Sequence, residues 1–258
     1  MVNDGAAAHR PGSTLLAFNT VERLLKGDFF HTVTLADVVG ELRAVPATWP
    51  LVGLGTTNWR ERHGELFVEG TAGTPVFSWA DPDGDPPAAV VTLDDHLGPR
   101  LPFVAVAACD PDGPRHTWLL GDGEDLHEAI AARCIEANIG LAALVVTGEL
   151  RDVRYQVMCH LPIGGIRPDH EAVAKQEWRD DDEWRALGIY AANPTIQSIV
   201  SHGVAAVHLH GQAGVPLQGG HVNSAVATAA ATVDIRPIPH LVMRIHGLDV
   251  ADRSGSDD

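Results

Sequence analysis

A chain of 258 residues, 45% of them hydrophobic, can bury one large core or two smaller ones. Its net charge of −16 comes with no basic stripe, which excludes nucleic acid and anionic membrane surfaces as expected partners. Cys109, Cys134 and Cys159 are odd in number and scattered, so neither a disulfide framework nor a thiolate metal site is indicated. With no apolar signal region at the start and no run long enough to span a bilayer, the expectation is a reducing, cytoplasmic setting.

Residues 1–13 and 251–258 are small, polar and unpatterned, and are expected to be loose tails. Between them the turn cluster Asp110-Pro111-Asp112-Gly113-Pro114 suggests an N-terminal α+β part over 14–112 and a C-terminal α+β part over 113–250. In the first part, Leu15 to Leu25 fits a strand or a short helix. Thr34 can cap a helix running to about Leu42, with Asp37 answering its free amides. Glu65–Val68, Pro75–Trp79 and Ala88–Leu93 read as short strands, and Phe103–Cys109 as a buried one.

In the second part, Asp122-Gly123-Glu124-Asp125 opens a helix with acidic side chains at its positive end. Leu126, Ile130 and Cys134 then recur at helical spacing, with Ala129 and Ile135 widening the apolar face, and Asn138 and Gly140 suit the exit. Leu141–Thr147 is an apolar strand that Gly148 and Glu149 turn, leading into a strand over Arg151–Cys159. Ala205–His210 and His221–Ile235 complete a mostly antiparallel sheet, and Leu241–Ile245 adds an edge.

The chemistry concentrates in Val207-His208-Leu209-His210 and Gly219-Gly220-His221-Val222. Side chains two apart on a strand share a face, so His208 and His210 point the same way with Leu209 behind them. Gly211 to Leu217 reads as a hairpin loop, and the returning strand brings His221 across from the pair. Three neutral imidazoles converging on one point form the ligand set of an open catalytic metal site. An HxH alone is often no more than a half-solvated sheet face; the Gly-Gly-His return favours metal. His160, His202, His240 and His246 are isolated and read as ordinary polar groups. Asp180-Asp181-Asp182-Glu183 lacks the glycine and downstream glutamate of a calcium loop and reads as a solvated acidic loop. Trp59, Trp178 and Trp184 fit either a pocket wall or core packing.

Leu25-Lys26-Gly27-Asp28, the helix start at Thr34, Gly53-Leu54-Gly55-Thr56, Gly64-Glu65-Leu66 and the HLH…GGHV hairpin follow one another in an order that resembles the α-acetolactate decarboxylase family, over about Val21 to Ile235. Gly121 to Leu126, Thr147-Gly148 and Leu150-Arg151-Asp152-Val153 also look like the related PPC (DUF296) domain, without the AT-hook tracts of its DNA-binding members. The resemblance implies an α+β fold of two-part, split-barrel-like mixed and antiparallel sheets with few helices. It also implies a homo-oligomer, and a Zn2+ or other first-row divalent ion on His208, His210 and His221. The implied reaction is loss of CO2 from a 2-hydroxy-3-oxo acid through an enediolate. Glu65 matches the family glutamate in the site and Thr56 an active-site threonine able to orient a substrate oxygen.

Three departures qualify this. The link from Thr56 to Glu65 is longer than the family's usual one, so Glu61 competes with Glu65 as proton donor. The family's carboxylate-binding arginine aligns with Gln156, which leaves Gln156 as a substrate-binding position and Arg154, on the same strand face, as the substitute cation. The family's C-terminal glutamate has no clear equivalent. Three readings follow: an acetolactate decarboxylase-like lyase, a diverged enzyme of specialised metabolism acting on a larger β-keto or hydroxy-ketone substrate, and a non-enzymatic PPC-like binding module.

Overall fold

The computed structural model describes residues 12–25, 32–59, 62–93, 99–158, 174–179, 182–201 and 205–244. Among these, fifteen strands and four helices alternate along the chain. The N-terminal sheet runs, in spatial order, β15 (His240–Arg244), β1 (Thr14–Phe18), β7 (Arg100–Ala108), β3 (Leu51–Trp59), β4 (Arg62–Thr71), β5 (Thr74–Asp81) and β6 (Ala89–Thr92), with β2 (Val33–Thr34) also on β7. All its pairings are antiparallel except β15 with β1.

The C-terminal sheet holds β13 (Gln218–Ala227), β12 (Val207–Ala213), β11 (Asp182–Ala191), β9 (Leu141–Met158), β14 (Thr232–Pro237) and β8 (His116–Leu119), with β10 (Ala174–Arg179) also on β9. One residue pair, Gln218 with Ala89, joins it to the first sheet. The first half of β9 pairs with β11, and its second half returns to β13 (Tyr155 opposite Val222), so β9, β11, β12 and β13 close into a small barrel. Trp184 and Tyr155 fill it, edge to face at 5.7 Å.

Closure depends on β9 bending, and here the structure corrects the sequence. Gly148 does not turn the chain. Its φ of +120° kinks one continuous strand, and its pairing with Trp184 continues the ladder unbroken. A Cβ there would overlap the Ala230 carbonyl oxygen, so the position demands glycine for conformation and space together. The hairpin loop is also shorter than expected: β12 runs to Ala213, leaving only Gly214 to Leu217 as turn.

The helices are α1 (Val21–Leu25), α2 (Leu35–Leu42), α3 (Leu126–Glu136) and α4 (Pro194–Val200). Leu15–Leu25 is therefore strand and then helix. Thr34 caps α2 in a reciprocal capping box with Asp37, and Leu35, Val38 and Leu42 bury against the outer face of the N-terminal sheet. Asp125 caps α3, whose Leu126, Ala129, Ile130 and Cys134 are buried. Ile135 is 69% exposed instead, because nine residues past Leu126 is half a revolution away. Asp182 and Glu183 begin β11 rather than lying in a loop, while Asp180 and Asp181 are outside the described residues. The second core, between the two sheets and within the barrel, brings Leu54, Phe67 and Phe103 together with Leu144, Leu187 and Ile189. Ser13 is buried, its hydroxyl accepting the Asp110 amide at 2.9 Å. No described helix is long and apolar enough to cross a membrane.

Candidate metal centre

The face of the barrel that packs on the N-terminal sheet carries the site. Alternation along β12 puts Leu209 in the barrel and His208 and His210 on this seam, both almost fully buried. The hairpin register sets His221 directly opposite His210. The glycines before His221 are steric requirements: a Cβ on Gly219 would overlap the Gly211 carbonyl oxygen, and one on Gly220 the Gln156 carbonyl oxygen. β13 is clamped between β12 and β9, and only bare backbone fits there.

Two of the imidazoles are oriented by backbone carbonyls. His208 Nδ1 lies 2.6 Å from the Val200 carbonyl oxygen and His210 Nδ1 lies 3.0 Å from that of Leu66. A carbonyl can only accept, so each Nδ1 carries the proton and each Nε2 keeps its lone pair for a ligand. Val200 ends α4, where helix carbonyls lack intrahelical partners, and His208 takes one up. Phe103 stacks on His208 with centroids 6.3 Å apart, and Phe67 meets His210 edge-on at 5.9 Å. The ring centroids of His208, His210 and His221 are 4.9–5.7 Å apart and their ligand atoms lie within 4.8 Å of one another. That donor set suits one first-row divalent cation, with bonds to imidazole of about 2.0–2.1 Å. His221 alone is half-buried, so the cluster is reached from its side.

β4 supplies the facing carboxylate. Glu65 is 3% exposed, and its Oε2 lies 3.5 Å from His210 Nε2. Thr56 is buried directly across the ladder from Glu65, so both face the histidines. Glu61 is outside the described residues. Arg154 and Gln156 are not drawn into this buried seam. Arg154 is exposed and lines a shallow depression with Asp125, Asp152 and Ser224, and the half-buried Gln156 accepts from Asn223 Nδ2 at 3.3 Å. Asn223 is two residues beyond His221, so Gln156 borders the open side of the cluster.

Sequence reasoning missed several contributors. His63, fully buried and two residues before Glu65, faces the same seam, its Nδ1 3.0 Å from the Thr57 carbonyl oxygen. Its spacing was the available signal. α4 was announced by Asn193 at the cap and Pro194 at the first helical position. The Val200 and Leu66 carbonyls have no residue signature at all. His240 is exposed; His160, His202 and His246 are outside the described residues, as are the side chains of Trp59 and Trp178. Burial pushes the Cys109 thiol up to about 11, ahead of opposing effects from Arg236 and Asp234, and the Cys134 thiol up to about 12. Both are free and buried, which fits inert core thiols.

The folded chain belongs to an identifiable structural class: a two-part split-barrel α+β fold with a histidine cluster in the seam. Neither a protein-family model nor a curated protein matches the sequence. Solved structures do. α-Acetolactate decarboxylase from Bacillus subtilis strain 168 superposes with a TM-score of 0.67 over 95% of each chain, at 18% identity. A Staphylococcus aureus protein of unknown function, similar to α-acetolactate decarboxylase, gives 0.66 over 90% of this chain and 89% of that one, at 17% identity. The plant- and prokaryote-conserved (PPC) protein of Pyrococcus horikoshii gives 0.37, covering 51% of this chain and 84% of its own, at 17% identity. At these identities the likeness is one of fold: this chain has the α-acetolactate decarboxylase fold.

Proposed function

We propose that the protein is a metal-dependent carbon–carbon lyase that removes CO2 from a 2-hydroxy-3-oxo acid. The observation that carries this reading is the pairing of three converging imidazoles, two of them oriented by backbone carbonyls, with the buried Glu65 carboxyl, 3.5 Å from His210 Nε2. His208, His210 and His221 would hold a divalent cation, zinc in this reading, which would supply Lewis acidity for the charge that builds on the substrate's oxygens as CO2 departs. Glu65 then delivers a proton to the carbon that lost the carboxylate, from one fixed face. Thr56 orients a substrate oxygen beside it. Phe67 and Phe103 keep water from the reacting carbon. Glu61 is the alternative donor. Gln156, on the open side, and Arg154, two residues before it on the same face of β9, are the positions assigned to the substrate's carboxylate end. Because Arg154 binds rather than reacts, Arg154→Gln is expected to raise KM by about tenfold while kcat changes little.

A larger β-keto acid or hydroxy-ketone is the second reading. It is favoured by Gln156, an amide unable to grip a carboxylate with a charged fork, and by the exposure of Arg154. Turnover of racemic 2-acetolactate, with metal content measured on the same sample, tests both. Acetoin that disappears in His210→Ala establishes the first. About one metal per chain without acetoin moves the search to larger keto acids. Neither metal nor turnover rejects the enzyme reading and leaves a binding module.

A further inference from the structure

The seam between the sheets has a second polar end. Glu69 shares a strand face with Glu65 four residues further along β4, about 13 Å away at roughly 3.3 Å per residue. There a cleft of about 370 Å³ gathers Arg115, Arg185 and Arg236 beside only two acids, Glu69 and Asp234. In a chain with 34 acidic and 18 basic side chains, this cleft reverses the local sign.

Its hydrogen bonds are unevenly shared. Arg185 gives both Nε and Nη2 to Glu69 and is satisfied there. Asp234 accepts from Arg115 Nε at 2.6 Å through one oxygen and from Arg236 Nε at 3.3 Å through the other. Neither Arg115 nor Arg236 uses its terminal Nη nitrogens on any described residue, although the Arg236 side chain is only 18% exposed. Asp234 thus holds two guanidiniums side by side by their inner nitrogens at the wall of the cleft, the Arg115 side chain 57% exposed and that of Arg236 18%. Thr117, Thr147 and Thr232 line the same face of β8, β14 and β9, as the register of those strands requires.

We propose that this cleft is a binding site for a small dianion, a phosphate or a dicarboxylate, separate from the histidine cluster. A guanidinium's outer nitrogens match two oxygens of one anion, and two guanidiniums held side by side present two such forks to an anion that carries oxygens on two sides, as a phosphate or a dicarboxylate does. The inference stands whether or not the lyase reading does.

Calorimetric titration of inorganic phosphate and of malonate into the full-length protein at low ionic strength tests it. One site per chain is expected, weakened about tenfold or more by Arg236→Gln. Glu69→Gln, which removes a negative charge from the cleft and leaves the Asp234 pairing with both guanidiniums intact, is expected to tighten binding at low salt. Such a gain cannot come from misfolding. Whichever dianion binds more tightly identifies the source class. No saturable binding of either anion, binding unchanged in Arg236→Gln, binding weakened by Glu69→Gln, or binding abolished by His210→Ala would each overturn the proposal; the last would put the anion at the histidines.

Discussion

Glu65 and Glu69 occupy one face of one strand, yet the opposite sheet gives them different chemistry. Glu65 is 3% exposed and meets His210; the Glu69 side chain is 27% exposed and paired with Arg185. A carboxylate held by an arginine at a partly wet edge is committed to an ion pair that contributes little and moves no proton. A carboxyl enclosed among imidazoles and aromatic rings can exchange a proton with whatever sits at the imidazole Nε2 atoms. Residue type and strand position are the same; burial and the partner strand decide the role.

The largest expected effect comes from removing the centre of the first region. His210→Ala removes one of the three imidazoles that could hold a metal ion and leaves the Leu66 carbonyl without its imidazole donor. Metal content measured after dialysis should fall to background, and turnover with it, by at least about a thousandfold. Retention of one metal per chain would mean that these imidazoles are not the ligand set. Next, Glu65→Gln keeps shape and burial but cannot give up a proton. Turnover should fall by about a hundred- to ten-thousandfold while metal content is unchanged. Loss of metal along with activity would make Glu65 a ligand rather than a proton donor.

Gly220→Ala tests how much of the centre is backbone geometry. The added methyl would meet the Gln156 carbonyl oxygen and lie 2.9 Å from Val157 Cγ2, so β13 must shift and carry His221 with it. A loss of about 1–3 kcal/mol in denaturant unfolding is expected, with weaker metal retention. Unchanged stability and affinity would show that β13 accommodates a side chain where the barrel closes.

These residues also show what a sequence can reveal. His208, His210 and His221 were legible because a period of two and a Gly-Gly return are local facts. The misplaced turn did no harm, since Gly211 to Ala213 extend β12 opposite Gln218 to Gly220 and preserve the His210–His221 pairing. Gly148 misled because a left-handed glycine looks the same in sequence whether it reverses a chain or kinks it; what distinguishes the two is β13 and β11 waiting on either half of β9. Glu65 was reached through family resemblance, and its place beside His210 depends on two sheets meeting, which no local pattern encodes. The Val200 and Leu66 carbonyls, which set both tautomers, lie beyond any reading of side chains.

The smallest effect is expected from Glu69→Gln, and it tests the comparison most directly. The Glu69–Arg185 pair sits at the edge of the seam, its arginine 46% exposed, where solvent screening leaves such pairs worth less than about 1 kcal/mol. Turnover should stay within about twofold of the parent and stability within that same margin, because a pair this wet costs little to lose and touches no reacting group. Arg185 would be released into the arginine cleft, so any change should appear there, as tighter dianion binding at low salt. A fall in turnover comparable to that of Glu65→Gln would instead couple the two ends through Phe67, the one buried side chain between them on that face of β4. The seam would then act as a single unit, and the division between a reactive carboxyl and a structural one would fail.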